Sequence, residues 1–130
     1  MHVGILIMSH AGVGASLLGT AQYMMKDCPL NVKTLMANRD SEFDDLMVRT
    51  EEMIEELDQG HGVLILTDLY GSTPSNIAYQ LAELQNIRVV SGLNLSMLIR
   101  VFNYPELSLD ELAEKAYSGG IDGITINERN

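Results

Sequence analysis

Apolar residues follow two rhythms along this chain. Short, nearly unbroken apolar stretches occur at Val3–Met8, at Val63–Thr67 ("VLILT") and at Ile87–Ser91. Such stretches suit strands buried on both faces. Val32–Met36 is a fourth strand candidate, weakened by Lys33 and Thr34. Between these stretches the spacing becomes helical. Leu17, Leu18, Ala21, Met24 and Met25 predict a helix over Gly14–Lys26, stopped by "DCP". Phe43, Leu46, Met47, Met53, Ile54 and Leu57 share one face of a helix over Asp40–Asp58, with acids on the solvated side. Thr73 is the expected N-cap, and Pro74 the first residue, of a helix whose stripe is Ile77, Ala78, Leu81 and Ala82. Another helix is predicted from about Leu95 to Phe102. Ser108 and Glu111 form a capping box for a last helix, expected to end near Tyr117 where "SGG" follows. Gly123–Asn127, "GITIN", alternates and predicts a short final strand.

Strands alternating with helices imply a doubly wound, mainly parallel four-stranded sheet with helices on both faces. The common strand order for so short a sheet is 2-1-3-4. No linker, repeat or low-complexity segment interrupts the pattern, so residues 1–130 are expected to be one domain. An open sheet of this kind binds ligands beyond the carboxyl ends of its strands, at the switch point. The final strand is expected to exchange between the subunits of a homodimer. The sheet has open edges to cover, and "SGGIDG" supplies glycines for the chain to swing away.

Composition narrows the possible functions. Tryptophan is absent, so Leu, Ile, Val, Ala and the eight methionines must fill the core. Eighteen acids against eight bases give a formal net charge of −10, a balance that disfavours nucleic acids and anionic membrane surfaces. The one cysteine, Cys28, cannot form an intrachain disulfide, which fits a reducing compartment. The opening "MHVGILIM" lacks the basic start and the length of a signal or spanning segment. A cytoplasmic protein without direct membrane insertion is therefore expected.

The loops that leave the strands carry the candidate chemistry: "SHAG", "DLYGSTPSN" and "SGLN". In order 2-1-3-4 the first and third strands are neighbours roughly 4.8 Å apart, which sets His10 beside Asp68 at the switch point. A carboxylate that accepts one ring N–H leaves the other ring nitrogen free as a nucleophile. The helix start at Thr73, with Ser72 and Gly71 before it, offers backbone N–H groups, hydroxyls and the positive end of a helix dipole, which suit a phosphate. Other motifs are weaker. Gly12-Val13-Gly14 lacks the third glycine of a dinucleotide fingerprint, since Leu17 stands there, and no phosphate-loop lysine motif occurs. Ser9 lacks the glycines of a nucleophile elbow. His2 lies at a terminus and His61 in a glycine turn. No metal-ligand set and no cofactor are expected.

"SHAGVGASLL", "GVLILTDLYGSTPSNIA" and "VVSGLNLSMLI" together resemble the enzyme IIA component of the mannose family of bacterial phosphoenolpyruvate-dependent sugar phosphotransferase systems. The resemblance runs in order over nearly the whole chain. It implies that His10 accepts a phosphoryl group from phospho-HPr and passes it to a IIB component, which serves membrane IIC and IID components during sugar uptake. It implies that Asp68 holds the histidine ring, that Thr73 lies near the phosphate, and that the final strand crosses to a second subunit. Ala11 and Gly12 depart from the glycine–bulky pair common after the histidine, and Ser72 from a common second glycine. Three alternatives share the crevice. One is a regulatory phosphoacceptor that reports phosphotransferase status without transporting sugar. Another is a small nucleotide- or flavin-binding module. The last is the phosphocarrier subunit of dihydroxyacetone kinase, which "DLYGSTPSN" fits less well.

Overall fold

The computed structural model describes residues 2–129. Four strands, β1 (Gly4–His10), β2 (Val32–Ala37), β3 (Val63–Thr67) and β4 (Ile87–Ser91), form one parallel sheet in the order β2-β1-β3-β4. Five helices connect and follow them: α1 (Val13–Met24), α2 (Phe43–Leu57), α3 (Thr73–Ala82), α4 (Leu95–Phe102) and α5 (Leu109–Asp122). The doubly wound expectation and its strand order hold.

Alternation along the central strands sorts the core into two layers. Ile5, Ile7, Leu64 and Leu66 face Ala21 of α1, Met97, Leu98 and Val101 of α4, and Leu112 and Ala116 of α5. Leu6, Met8, Val63 and Ile65 face Leu46, Ile54 and Leu57 of α2 and Ile77, Ala78 and Leu81 of α3. Adjacent residues of β1 therefore serve opposite layers, which is why the strand is apolar at every position up to Met8. Each fully buried Leu, Ile, Val or Met among these contributes about 1.5–3 kcal/mol.

Several boundaries differ from the sequence reading. β1 continues through Ser9 and His10, because His10 still pairs with Ala37 of β2. α2 begins at Phe43 rather than Asp40, since Asn38–Ser41 closes a turn in which the Ser41 hydroxyl accepts the Asn38 N–H at 2.9 Å. Phe43 stays largely in solvent, and Thr50 completes the buried stripe instead. The N-cap of α3 is Ser72, not Thr73: the Ser72 hydroxyl accepts the Ser75 N–H, and Thr73 is the first helical residue.

The largest correction concerns the C-terminal part. α5 does not stop at "SGG" but runs to Asp122, with Gly119 and Gly120 buried inside it. A Cβ on Gly119 would stand 2.4 Å from the Arg100 Cβ, so glycine here lets α5 lie close against α4. Tertiary packing overrides the weak helix propensity of glycine. Asn94 caps α4 by accepting the Met97 N–H and donates to the Gly120 carbonyl at 3.1 Å, tying the two helices. Residues 124–129 follow without a strand in this chain, and Ile124 and Ile126 are 75% and 90% exposed.

Candidate functional site

β1 and β3 lie side by side in parallel register, Met8 opposite Thr67. After them the connections part: α1 leads outward to β2 and α3 outward to β4. The crevice between these departures opens at the ends of β1 and β3, where the last residue of β1, His10, and the first residue after β3, Asp68, meet.

The two residues are bound twice. The Asp68 Oδ2 accepts the His10 backbone N–H at 2.9 Å, and both carboxylate oxygens lie 3.1 Å from His10 Nδ1. An ionised carboxylate only accepts, so Nδ1 is the donor in this contact, and in the neutral ring Nε2 then holds the lone pair. The His10 side chain is 46% exposed and that of Asp68 12%. A sheltered carboxylate thus steers a ring that an external group can reach.

The turn after His10 is strained. Ala11 has φ +44°, a left-handed conformation that costs an L-residue roughly 1–2 kcal/mol. Its N–H is held by the Ala37 carbonyl at 3.1 Å. α1 starts directly afterwards. Its N-cap, Gly12, has no side chain, but the buried Ser9 hydroxyl accepts the Gly14 N–H at 2.8 Å. Gly14 must be small there, because a Cβ would stand 2.6 Å from Ile7 and 2.7 Å from the Ser9 Oγ.

The loop after Asp68 is built around Gly71, whose φ of +84° turns the chain into α3. Ser72 donates its hydroxyl to the Leu69 carbonyl at 2.6 Å while capping Ser75, so that hydroxyl is committed to the loop. Thr73, exposed at the first position of α3, has a backbone N–H with no acceptor inside the helix. The structure brings His10 and Asp68 into contact. Gly71, Ser72 and Thr73 sit at the same end of the sheet, with no hydrogen bond to His10 among the described residues. Sequence reasoning missed Ser75, a buried hydroxyl that accepts the Gly71 N–H, and the strained Ala11. The small polar residue two positions after Thr73 was the available signal for the first; nothing in the sequence marked the second.

Comparison with known proteins finds relatives in both sequence and fold. The family model EIIA-man, described as the PTS system fructose IIA component, matches residues 4–117. The chain belongs to the EIIA-man family. Over 127 residues it is 27% identical to the PTS system mannose-specific EIIAB component of Escherichia coli, an alignment that takes in 95% of this chain and 39% of that protein. The chain thus spans about two fifths of the length of that relative. The mannose/sorbose specific IIA subunit of the phosphotransferase system from Enterococcus faecalis superposes with a TM-score of 0.83 at 26% identity, covering 100% of this chain and 98% of that one. The phosphotransferase system component EIIA from Streptococcus agalactiae gives 0.83 at 25% identity, with 95% and 96% covered.

Within the EIIA-man family frame, the described residues contain no group of three or more His, Cys, Asp or Glu placed to hold a metal ion. No helix among them is long and apolar enough to cross a membrane.

Proposed function

We propose that this chain is a phosphoryl carrier of a sugar phosphotransferase system and that His10 is its acceptor. The observation that carries this reading is the pair of hydrogen-bonded contacts from Asp68 to the His10 backbone and ring at the switch point, which fixes Nδ1–H and leaves Nε2 as the nucleophile. Phospho-HPr is the donor. The Nε2 lone pair forms the new P–N bond as the P–N bond of the donor's phosphohistidine breaks. The electron pair of that broken bond stays on the donor imidazole. Asp68 offsets the positive charge that develops on the His10 ring. The Thr73 N–H and hydroxyl, at the positive end of α3, supply donors for the phosphoryl oxygens, and Gly71 and Ser72 shape the turn that presents them. Nε2 then gives the group to a histidine of a IIB component, which serves membrane IIC and IID components. Transfer between two histidines involves no nucleotide whose phosphate charges a metal ion must bridge, so neither step calls for one.

Residues 1–130 form one domain of the carrier, which is cytoplasmic and homodimeric. A groove of about 420 Å³ beside the free edge of β4 supports the dimer; Tyr70, Tyr79, Val90, Ala113 and Tyr117 line it. Gly123–Asn127, unpaired in its own chain, becomes a strand by adding to that edge in the partner subunit.

The direct test is incubation with enzyme I, HPr and phosphoenolpyruvate, followed by mapping of the acceptor. One acid-labile, base-stable phosphoryl group on His10 is expected, and none in His10→Ala. Label that persists in the variant, or that maps to His61, refutes the assignment.

A further inference from the structure

Four polar side chains are buried among the described residues: Ser9, Thr50, Thr67 and Ser75. All four are hydroxyls, and three of them stand at one end of the sheet beside a residue of the site. Ser9 precedes His10, Thr67 precedes Asp68, and Ser75 follows Thr73 by two positions. A buried hydroxyl is destabilising unless a partner compensates it. Alanine or valine would fill such places without that demand, so what each hydroxyl bonds bears on why it is there.

Each of the three reaches a different loop. Ser9 Oγ accepts the Gly14 N–H at 2.8 Å and holds the turn from β1 into α1. Thr67 Oγ1 donates to Ser91 Oγ at 2.8 Å, while the Thr67 carbonyl accepts the Gly92 and Leu93 N–H groups at 3.0 and 2.9 Å. The end of β3 is thereby joined to the loop that leaves β4. Ser75 Oγ accepts the Gly71 N–H at 3.3 Å and closes the turn from β3 into α3. Thr50 is the contrast: its hydroxyl donates to Leu46 O, one turn back in its own helix, and touches no loop.

We propose that Ser9, Thr67 and Ser75 are positioning residues for phosphoryl transfer, each fixing one of the three loops that surround the His10–Asp68 pair. The proposal rests on the reading of His10 as the acceptor. Transfer needs the attacking nitrogen within about 3–3.5 Å of phosphorus and in line with the leaving atom, and an error of about 1 Å costs around a hundredfold in rate. His10 closes β1 just before the strained Ala11, and Thr73 opens α3 just after the Gly71 turn, so each site residue borders a loop that regular structure does not fix. The hydroxyls tie those loops to the ends of the strands and to the first turn of α3.

The experiment compares Ser9→Ala, Thr67→Val and Ser75→Ala with Thr50→Val, a buried hydroxyl deletion away from the site. Three quantities are measured: unfolding in urea, single-turnover uptake from phospho-HPr, and the 15N signals of the His10 ring. All four variants are expected to lose stability. Only the first three should slow uptake, by roughly tenfold to a hundredfold, and shift the His10 signals. Thr67→Ser, which restores a hydroxyl, should recover both. Ser91→Ala breaks the Thr67 bond from its half-buried side and replaces Thr67→Val if that variant does not fold. Parent-like uptake and parent-like ring signals in the three variants overturn the proposal, as does an equal loss in Thr50→Val. If the parent protein takes no phosphoryl group, the carrier reading fails, and the ring signals alone then decide whether the hydroxyls position His10.

Discussion

Asp68→Asn tests the centre of the carrier reading, because it changes one charge and almost no shape. The carboxylate accepts two N–H groups from His10, the backbone one at 2.9 Å and the ring one at 3.1 Å. An amide has one oxygen. If that oxygen keeps the backbone bond, its NH2 group turns to Nδ1, and two donors cannot face each other. The ring resolves the conflict by moving its proton to Nε2, so that Nδ1 becomes the acceptor. The nucleophilic nitrogen is then blocked. Loss of the correct tautomer and of the stabilising charge should slow phosphoryl uptake by about 10²–10⁴. That range corresponds to roughly 2.7–5.4 kcal/mol at the transition state. Stability should fall by only about 1–3 kcal/mol, the worth of a hydrogen bond to a charged group. Rapid-quench measurement of uptake from phospho-HPr gives the rate, and 15N spectra of the ring give the tautomer. A variant that transfers at the parent rate, or whose Nε2 stays unprotonated while the rate falls, refutes the tautomer argument.

Three further outcomes follow from the packing. Gly14→Ala should destabilise the fold by about 1–3 kcal/mol in urea unfolding, because its Cβ would press on Ile7 and on the Ser9 hydroxyl that caps α1; an unchanged midpoint counts against that close approach. A chain ended after Gly123 keeps α5 whole but lacks the unpaired segment, and it should run as a monomer in light scattering where the intact chain runs as a dimer. A truncated dimer rules out strand exchange as its basis. Burial pushes the Cys28 thiol above its usual value, so the reactive thiolate is scarce at neutral pH. Its labelling by a disulfide reagent should be slower than that of the unfolded chain at pH 8 and should gain on it as pH rises past the ordinary thiol range. Equal rates at pH 8 contradict the assignment.

Apolar rhythm alone determined much of this molecule. Val63–Thr67 and Ile87–Ser91 are strands with the bounds the pattern gives, and the buried run from Val3 to Met8 serves both layers of the core. Strand–helix alternation was enough to set β1 beside β3, and therefore His10 beside Asp68, because few chain paths close such a sheet. The Ser108–Glu111 capping box was legible for a similar reason: it is local, complete within four residues, and indifferent to the rest of the fold. Tertiary structure decided what depends on contacts distant in sequence. Gly119 and Gly120 look like a stop signal, yet they continue α5, because α4 packs so close that Arg100 leaves room at Gly119 for hydrogen and not for a methyl group. Ser72 rather than Thr73 caps α3, since the Gly71 turn and the Leu69 carbonyl orient its hydroxyl. The left-handed turn at Ala11 exists because Ala37 of β2 holds its N–H, a constraint from a neighbouring strand that no local preference of alanine announces. Spacing along the chain records which face a residue presents; the distance to a backbone from another element is set only when the layers close.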